Sequence, residues 1–162
     1  MLAYDPKLEE EIILERGGKP VSLEELLRES DIITLHASYN PENYHILGER
    51  EFELMKEGVI VINTARGELI DQEALIRAIK SGKVAGAGMD VVEGEPVGAD
   101  NSLLALDNVV IVPHIATYTI ESLKRMGDKV VEDVEKVSRG KIPEGVVNPE
   151  VLRKENRAGL RL

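Results

Sequence analysis

The alternation of short Val/Ile-rich runs with helical patterns predicts an α/β protein built on a doubly wound parallel sheet. Six apolar runs are read along the chain, most of them separated by amphipathic segments of helical spacing. One run, VIVINTA at residues 59–65, is continuously apolar, as expected of a strand covered on both faces. With one Phe and no Trp in 162 residues, the core must be assembled from Ile, Val, Leu and Ala.

The first predicted strand is Leu2-Ala3-Tyr4, ending at Asp5. A charged helical stretch over 7–16 stops at Gly17-Gly18, and a very short run at Pro20-Val21 follows. Ser22-Leu23-Glu24-Glu25 reads as a capping box that opens a helix through Arg28. Residues 31–37 (DIITLHA) are the next strand, and helical spacing over 49–56 ends at Gly58. After the strand at 59–65, Asp71 caps the helix QEALIRAIKS, which Gly82 terminates. Residues 84–91 and 109–112 are two further strands. A long amphipathic helix is expected from Thr119, its N-cap, to Ser138, with Glu121 favourably placed in its first turn. From about Lys154 the chain is polar and basic, a frayed helix or loose tail.

Composition excludes several functions. A net charge of −10 argues against a nucleic-acid or anionic-membrane surface, which requires clustered positive charge. The lack of Cys excludes disulfides, thiolate metal sites and thiol catalysis. No apolar stretch approaches the roughly 20 residues of a membrane span, and no signal peptide is read, so a soluble, cytoplasmic protein is expected.

Four features stand at the C-terminal ends of predicted strands, where open parallel sheets place their ligands. Asp5 is suited to accept bonds from both hydroxyls of an adenosine ribose, or else belongs to an Asp-Pro turn. Arg66, just past a buried strand and followed by Gly67, offers a planar fork for a carboxylate, or is a solvated loop arginine. Asp90 with Glu93 and Glu95 reads as a divalent-metal site, a solvated acidic loop, or a loop with one carboxylate aimed at a histidine. His114, straight after the last strand, is suited to proton transfer near neutral pH. His36, inside a strand, and His45, in a loop, are read as structural.

In this order the segments AYDP, SDIITLHASYNPENYHIL, VIVINTARGELIDQEALIRAIKSGKVAGAGMDVVEGEP, NVVIVPHIATYTIES and VVNPEV resemble the D-isomer-specific 2-hydroxyacid dehydrogenases, from residue 1 to about 152. The resemblance implies a Rossmann-like dinucleotide-binding domain over 1–147, followed by a tail at 148–162 that returns toward a substrate domain. It implies NAD as cofactor, a small 2-oxo or 2-hydroxy acid as substrate, and a homo-oligomer in the complete enzyme. Arg66 would orient the substrate carboxylate and polarise its carbonyl. His114 would be the acid/base, and Glu95 the carboxylate that holds it. Asp5 would hold the ribose and favour NAD over NADP. Ala37, Ser38, Asn43, Thr64, Ala65, Arg66, Asp90 and His114 fall where the family contacts the cofactor. The implied chemistry needs no metal, since hydride transfer belongs to the cofactor. Glu95 separates the chain from the formate dehydrogenase branch, which carries Gln there.

Two departures from the family pattern stand out. Ala37-Ser38-Tyr39 replaces the more usual Val-Pro-Leu, removing a rigid proline from the nicotinamide side of the crevice. No G-x-G-x-x-G occurs, and the chain begins at the strand that normally follows it. The first βα unit and the substrate domain are thus expected to be missing, leaving the strands near 2–5 and 31–37 without their common neighbour. Three origins fit: a truncated form of a complete dehydrogenase, with Met1 an internal GUG read as a start; one half of a split enzyme; or a non-catalytic remnant that binds or self-associates through its open edges. Little or no turnover is expected of the isolated chain.

Overall fold

The computed structural model describes residues 1–152. Its strands and helices follow the predicted order: β1 (Leu2–Ala3), α1 (Glu10–Glu15), β2 (Lys19–Pro20), α2 (Leu23–Glu29), β3 (Ile32–Leu35), α3 (Glu49–Leu54), β4 (Val59–Asn63), α4 (Gln72–Lys80), β5 (Val84–Met89), β6 (Val109–Ile111) and α5 (Ile120–Ser138). Short 3-10 turns at Pro41–Asn43, Gly67–Leu69, Ser102–Ala105 and Pro149–Leu152 fill connections that lack a periodic apolar pattern. Ser22, Asp71 and Thr119 each accept a hydrogen bond from the backbone amide three residues on. Gly58 and Gly82 take positive φ of 77° and 85° at the turns that follow α3 and α4. The basic tail expected from Lys154 lies outside the described residues.

The strands are parallel but form two sheets, β1-β2 and β3-β4-β5-β6. No pairing joins β1 to β3, the two strands expected to lack a common neighbour. In the larger sheet the strands are laid down in sequence order. Right-handed crossovers that always step the same way put their helices on one face.

Burial follows from this. Ile33, Val59, Val61, Val84, Ala87 and Met89 face the helices and are buried, together with Leu27, Phe52, Leu75 and Ile79 from α2, α3 and α4. The alternate residues are open: Ile32 is 58% exposed, Ile60 40% and Val110 66%. The expectation that 59–65 is covered on both faces is therefore corrected. Its helices all lie on one side, and the strand itself ends at Asn63.

Leu75 of α4 is fully buried in this core. Leu75→Ala is expected to lower stability by about 2–5 kcal/mol, read from the midpoint of a urea titration.

The chain divides into two compact units, Met1–Ala116 and the residues from Thr117 on. In the second, Lys129 and Lys136 meet Glu144 at 3.4 and 2.8 Å. These contacts, the Lys136 hydrogen bond foremost, hold the Glu144 carboxyl below its ordinary range. Along α5 the apolar residues Leu123, Met126, Val130, Val134 and Val137 repeat at helical spacing, and all are exposed. Among the described residues no helix is long and apolar enough to cross a membrane.

Candidate active site

The site in the first unit is assembled from loops that leave the C-terminal ends of β3, β4, β5 and β6. After β4, Asn63 is fully buried, and its side-chain amide bridges the turn. Its Oδ1 accepts from the Ala65 amide at 3.0 Å, and its Nδ2 donates to the Arg66 carbonyl at 2.8 Å. Arg66 is thereby fixed by its backbone, while its side chain is exposed and turns one Nη back onto the Ala65 carbonyl. Gly67 lies directly beneath the loop that follows β5. A Cβ built on it would stand 2.1 Å from the Val92 carbonyl carbon and 2.4 Å from the Glu93 nitrogen. Only a glycine permits that approach.

After β3 the chain runs past His36 to a loop closed on itself. Asn43 donates from Nδ2 to the Ser38 carbonyl at 2.8 Å and accepts the Asn40 amide through Oδ1 at 2.8 Å. Between the loops after β3 and β4 lies a cleft of about 450 Å3. Ala37, Ser38, Thr64, Ala65 and Arg66, all named from the sequence, line it together with His36 and Tyr39. His36 stands one residue beyond β3, with Nε2 2.9 Å from Thr34 Oγ1, so its expected place inside the strand is corrected. The sequence pattern overran the strand because the apolar alternation continues into Ala37.

The loop after β5 supplies the carboxylates. Asp90 is 4% exposed and faces inward. Its Oδ1 accepts from the Ile115 and Ala116 amides at 2.7 and 3.0 Å, and its backbone carbonyl accepts from the His114 amide at 3.0 Å. Such charge-assisted bonds make Asp90 the brace of the His114 turn. His114 itself is held at φ 53°, a region uncommon for a residue with a Cβ. Glu95 Oε1 accepts the Val92 amide at 3.0 Å, and Oε2 lies 3.2 Å from His114 Nδ1. Glu93, two residues earlier, accepts from the Tyr44 hydroxyl at 2.8 Å and lies 3.0 Å from His45 Nε2. That bond, first among its causes, raises the Tyr44 hydroxyl pKa above its ordinary value.

β1 stops at Ala3, so the expected strand end at Asp5 is corrected: Asp5 stands two residues beyond it, exposed, with Oδ1 accepting the Lys7 amide at 2.9 Å. This is the local geometry of an Asp-Pro turn, one of the two readings offered for Asp5. Sequence reasoning missed the supporting roles of Asn63 and Gly67, the part of Tyr44, and the partners of Glu93, which it read only as one of three loop carboxylates. The first two were visible in the segment INTARG, but nothing local marked them as its support.

The cleft, the exposed arginine and the His–carboxylate pair sit where an open parallel sheet receives a nucleotide. The residues fit a dinucleotide in part. The cleft walls carry backbone and small side chains suited to close approach, while no glycine-rich phosphate loop occurs in the sequence. The class defined is that of a Rossmann-like nucleotide-binding domain.

The D-isomer specific 2-hydroxyacid dehydrogenase NAD-binding domain matches residues 1–116, and the chain belongs to that family. It is 44% identical over 153 residues to a glyoxylate reductase of Korarchaeum cryptofilum, covering 94% of this chain and 46% of that protein. A D-3-phosphoglycerate dehydrogenase of Archaeoglobus fulgidus is 45% identical over 148 residues, covering 91% of this chain and 28% of that one. Among solved structures, the D-lactate dehydrogenase of Aquifex aeolicus complexed with NAD and lactic acid superposes with a TM-score of 0.75 at 42% identity. That match covers 86% of this chain and 46% of the other. The chain thus spans about half, or less, of the length of these relatives.

Proposed function

We propose that the chain forms the cofactor-side half of an NAD-dependent oxidoreductase that interconverts a small 2-oxoacid and its D-2-hydroxyacid. The observation that carries this is the loop after β5, which sets Glu95 against His114 while its backbone rests on Gly67, next to Arg66. A nicotinamide cofactor held in this cleft would supply hydride-transfer chemistry toward the substrate carbonyl carbon. With Nδ1–H directed at Glu95, His114 presents Nε2 to the reacting oxygen. As imidazolium it gives that oxygen a proton, and as neutral imidazole it removes one in the reverse direction. Arg66 pairs with the substrate carboxylate and polarises the carbonyl. Asp5 takes the ribose hydroxyls and repels a 2′-phosphate. Ala37, Ser38, Asn43, Thr64 and Ala65 shape the cofactor cleft, and Asp90 acts beneath it through the His114 turn.

The test is NADH oxidation with glyoxylate, pyruvate or hydroxypyruvate by the protein purified from its native source. Turnover is expected there, and little or none from the isolated 162-residue chain. Failure of all three substrates with the native protein would remove the reading.

A second reading has its own support: β1 and β3 each pair on one side only, with β2 and β4, at the edges of two separate sheets, and one face of the larger sheet is bare. Unpaired backbone in that position favours pairing with another polypeptide. A βα unit from a separate chain would make a split enzyme, and a second copy a self-associating module. Co-purification of a distinct partner supports the first, and homodimerisation without NADH binding the second.

A further inference from the structure

Two histidines of the first unit take positive φ, His45 at 51° and His114 at 53°. Each meets a carboxylate of the same short loop, Glu93 at 3.0 Å and Glu95 at 3.2 Å. Only the second pair takes part in the chemistry proposed above. We propose that Glu93 is a positioning residue for His114, fixing through His45 and Tyr44 the loop that carries Glu95.

The argument rests on geometry. Glu93 uses both oxygens, one on the Tyr44 hydroxyl at 2.8 Å and one on His45 Nε2. Its two partners are stacked on each other with ring centroids 3.8 Å apart and planes 20° off parallel, and Tyr39 packs edge-on against Tyr44. They form one rigid receptor for the carboxylate.

That receptor is not free to drift. The His45 amide donates to the Glu68 carbonyl at 2.9 Å, the Leu47 amide to Leu69 at 3.1 Å, and the Asp71 amide to Leu47 at 3.0 Å. The segment is therefore laced to the residues just past Arg66 and Gly67. Glu93 closes the circuit from the other side, since the backbone joining Val92 to Glu93 lies on Gly67. A solvated acidic loop needs none of this. Between the anchored Glu93 and the working Glu95 there is only Gly94, at φ 78°, so the two carboxylates share one tight turn whose shape both sets of bonds define.

Glu95 reports its own position through two groups: the Val92 amide, which it accepts, and His114 Nδ1. Both are observable by NMR on the chain itself, with ¹⁵N-labelled histidine giving the His114 tautomer and amide exchange giving Val92. In Glu93→Ala we expect Val92 exchange to speed by ~10–100-fold, as loss of hydrogen bonds to a charged group implies. The His114 tautomer should also move away from Nδ1–H, while His36 and the core amide of Val61 stay unchanged. Glu93→Gln, which keeps an acceptor for Tyr44, should restore part of both signals, and Tyr44→Phe should move them less in the same direction. If the Ala variant does not fold, Tyr44→Phe decides. A folded variant in which His114 and Val92 read as in the parent overturns the proposal. The inference rests on the hydride-transfer reading for its purpose, but these signals report the loop whether or not any 2-oxoacid is reduced, so the two fail separately.

Discussion

Replacement of His114 by Gln is expected to cut NADH-dependent 2-oxoacid reduction by ~10²–10⁴-fold, the range that a positioned acid/base contributes. The side chain is exposed, and among the described residues its side-chain partner is Glu95, so little packing is lost. The turn that carries it is held by backbone bonds to Asp90, which the substitution leaves in place. The amide of Gln can still donate to Glu95 but cannot cycle a proton near neutral pH. The loss should therefore fall on kcat, with unfolding midpoint and NADH affinity close to the parent. The measurement is steady-state kinetics of the native-length protein beside a urea titration. A His114→Gln enzyme within a few-fold of the parent would assign the proton transfer to another group.

Gly67→Ala should have the largest structural effect. The added Cβ would sit 2.1 Å from the carbonyl carbon and 2.2 Å from the carbonyl oxygen of Val92, atoms that no rotamer change can move aside. The loop over 91–95 must lift, taking Glu93 from His45 and Glu95 from His114. Overpacking of side chains costs about 1–3 kcal/mol, and a clash with the backbone of a facing loop belongs at or above the top of that range. Gly88→Ala is the comparison, because its Cβ meets only Ile62 Cγ1 at 3.9 Å, ordinary contact. Equal urea midpoints for the two variants would mean that the approach of residues 67 and 92 is not a fixed feature of the fold.

These two residues illustrate what was legible in the sequence. The strand order, the caps at Ser22, Asp71 and Thr119, and the turns at Gly58 and Gly82 are written within a few residues of where they act. Period and capping chemistry are local, so they can be read from one chain. His114 and Arg66 drew attention because each follows an apolar run. Asp90 and Glu93 were noticed as loop carboxylates, but what each would hold was not legible. Asp90 grips amides 25 and 26 residues away, and Glu93 meets His45 at a separation of 48. Nothing near Gly67 announces that Val92 will lie on it. The open face at Ile32, Ile60 and Val110 was missed for a different reason: a strand's own residues show that a face is apolar, not whether a helix covers it.

The division of the sheet bears on how tightly any long ligand can be held. Asp5 follows β1 of the β1-β2 sheet, and the cleft with Arg66 lies at the end of β3-β4-β5-β6. A molecule gripped at one end by each behaves as a bivalent ligand, and its affinity depends on the effective concentration that one grip creates for the other. No backbone bonds between β1 and β3 fix the distance between the grips, which weakens that advantage. A strand seated between them would turn two weak half-sites into one strong site without adding a single contact to the ligand.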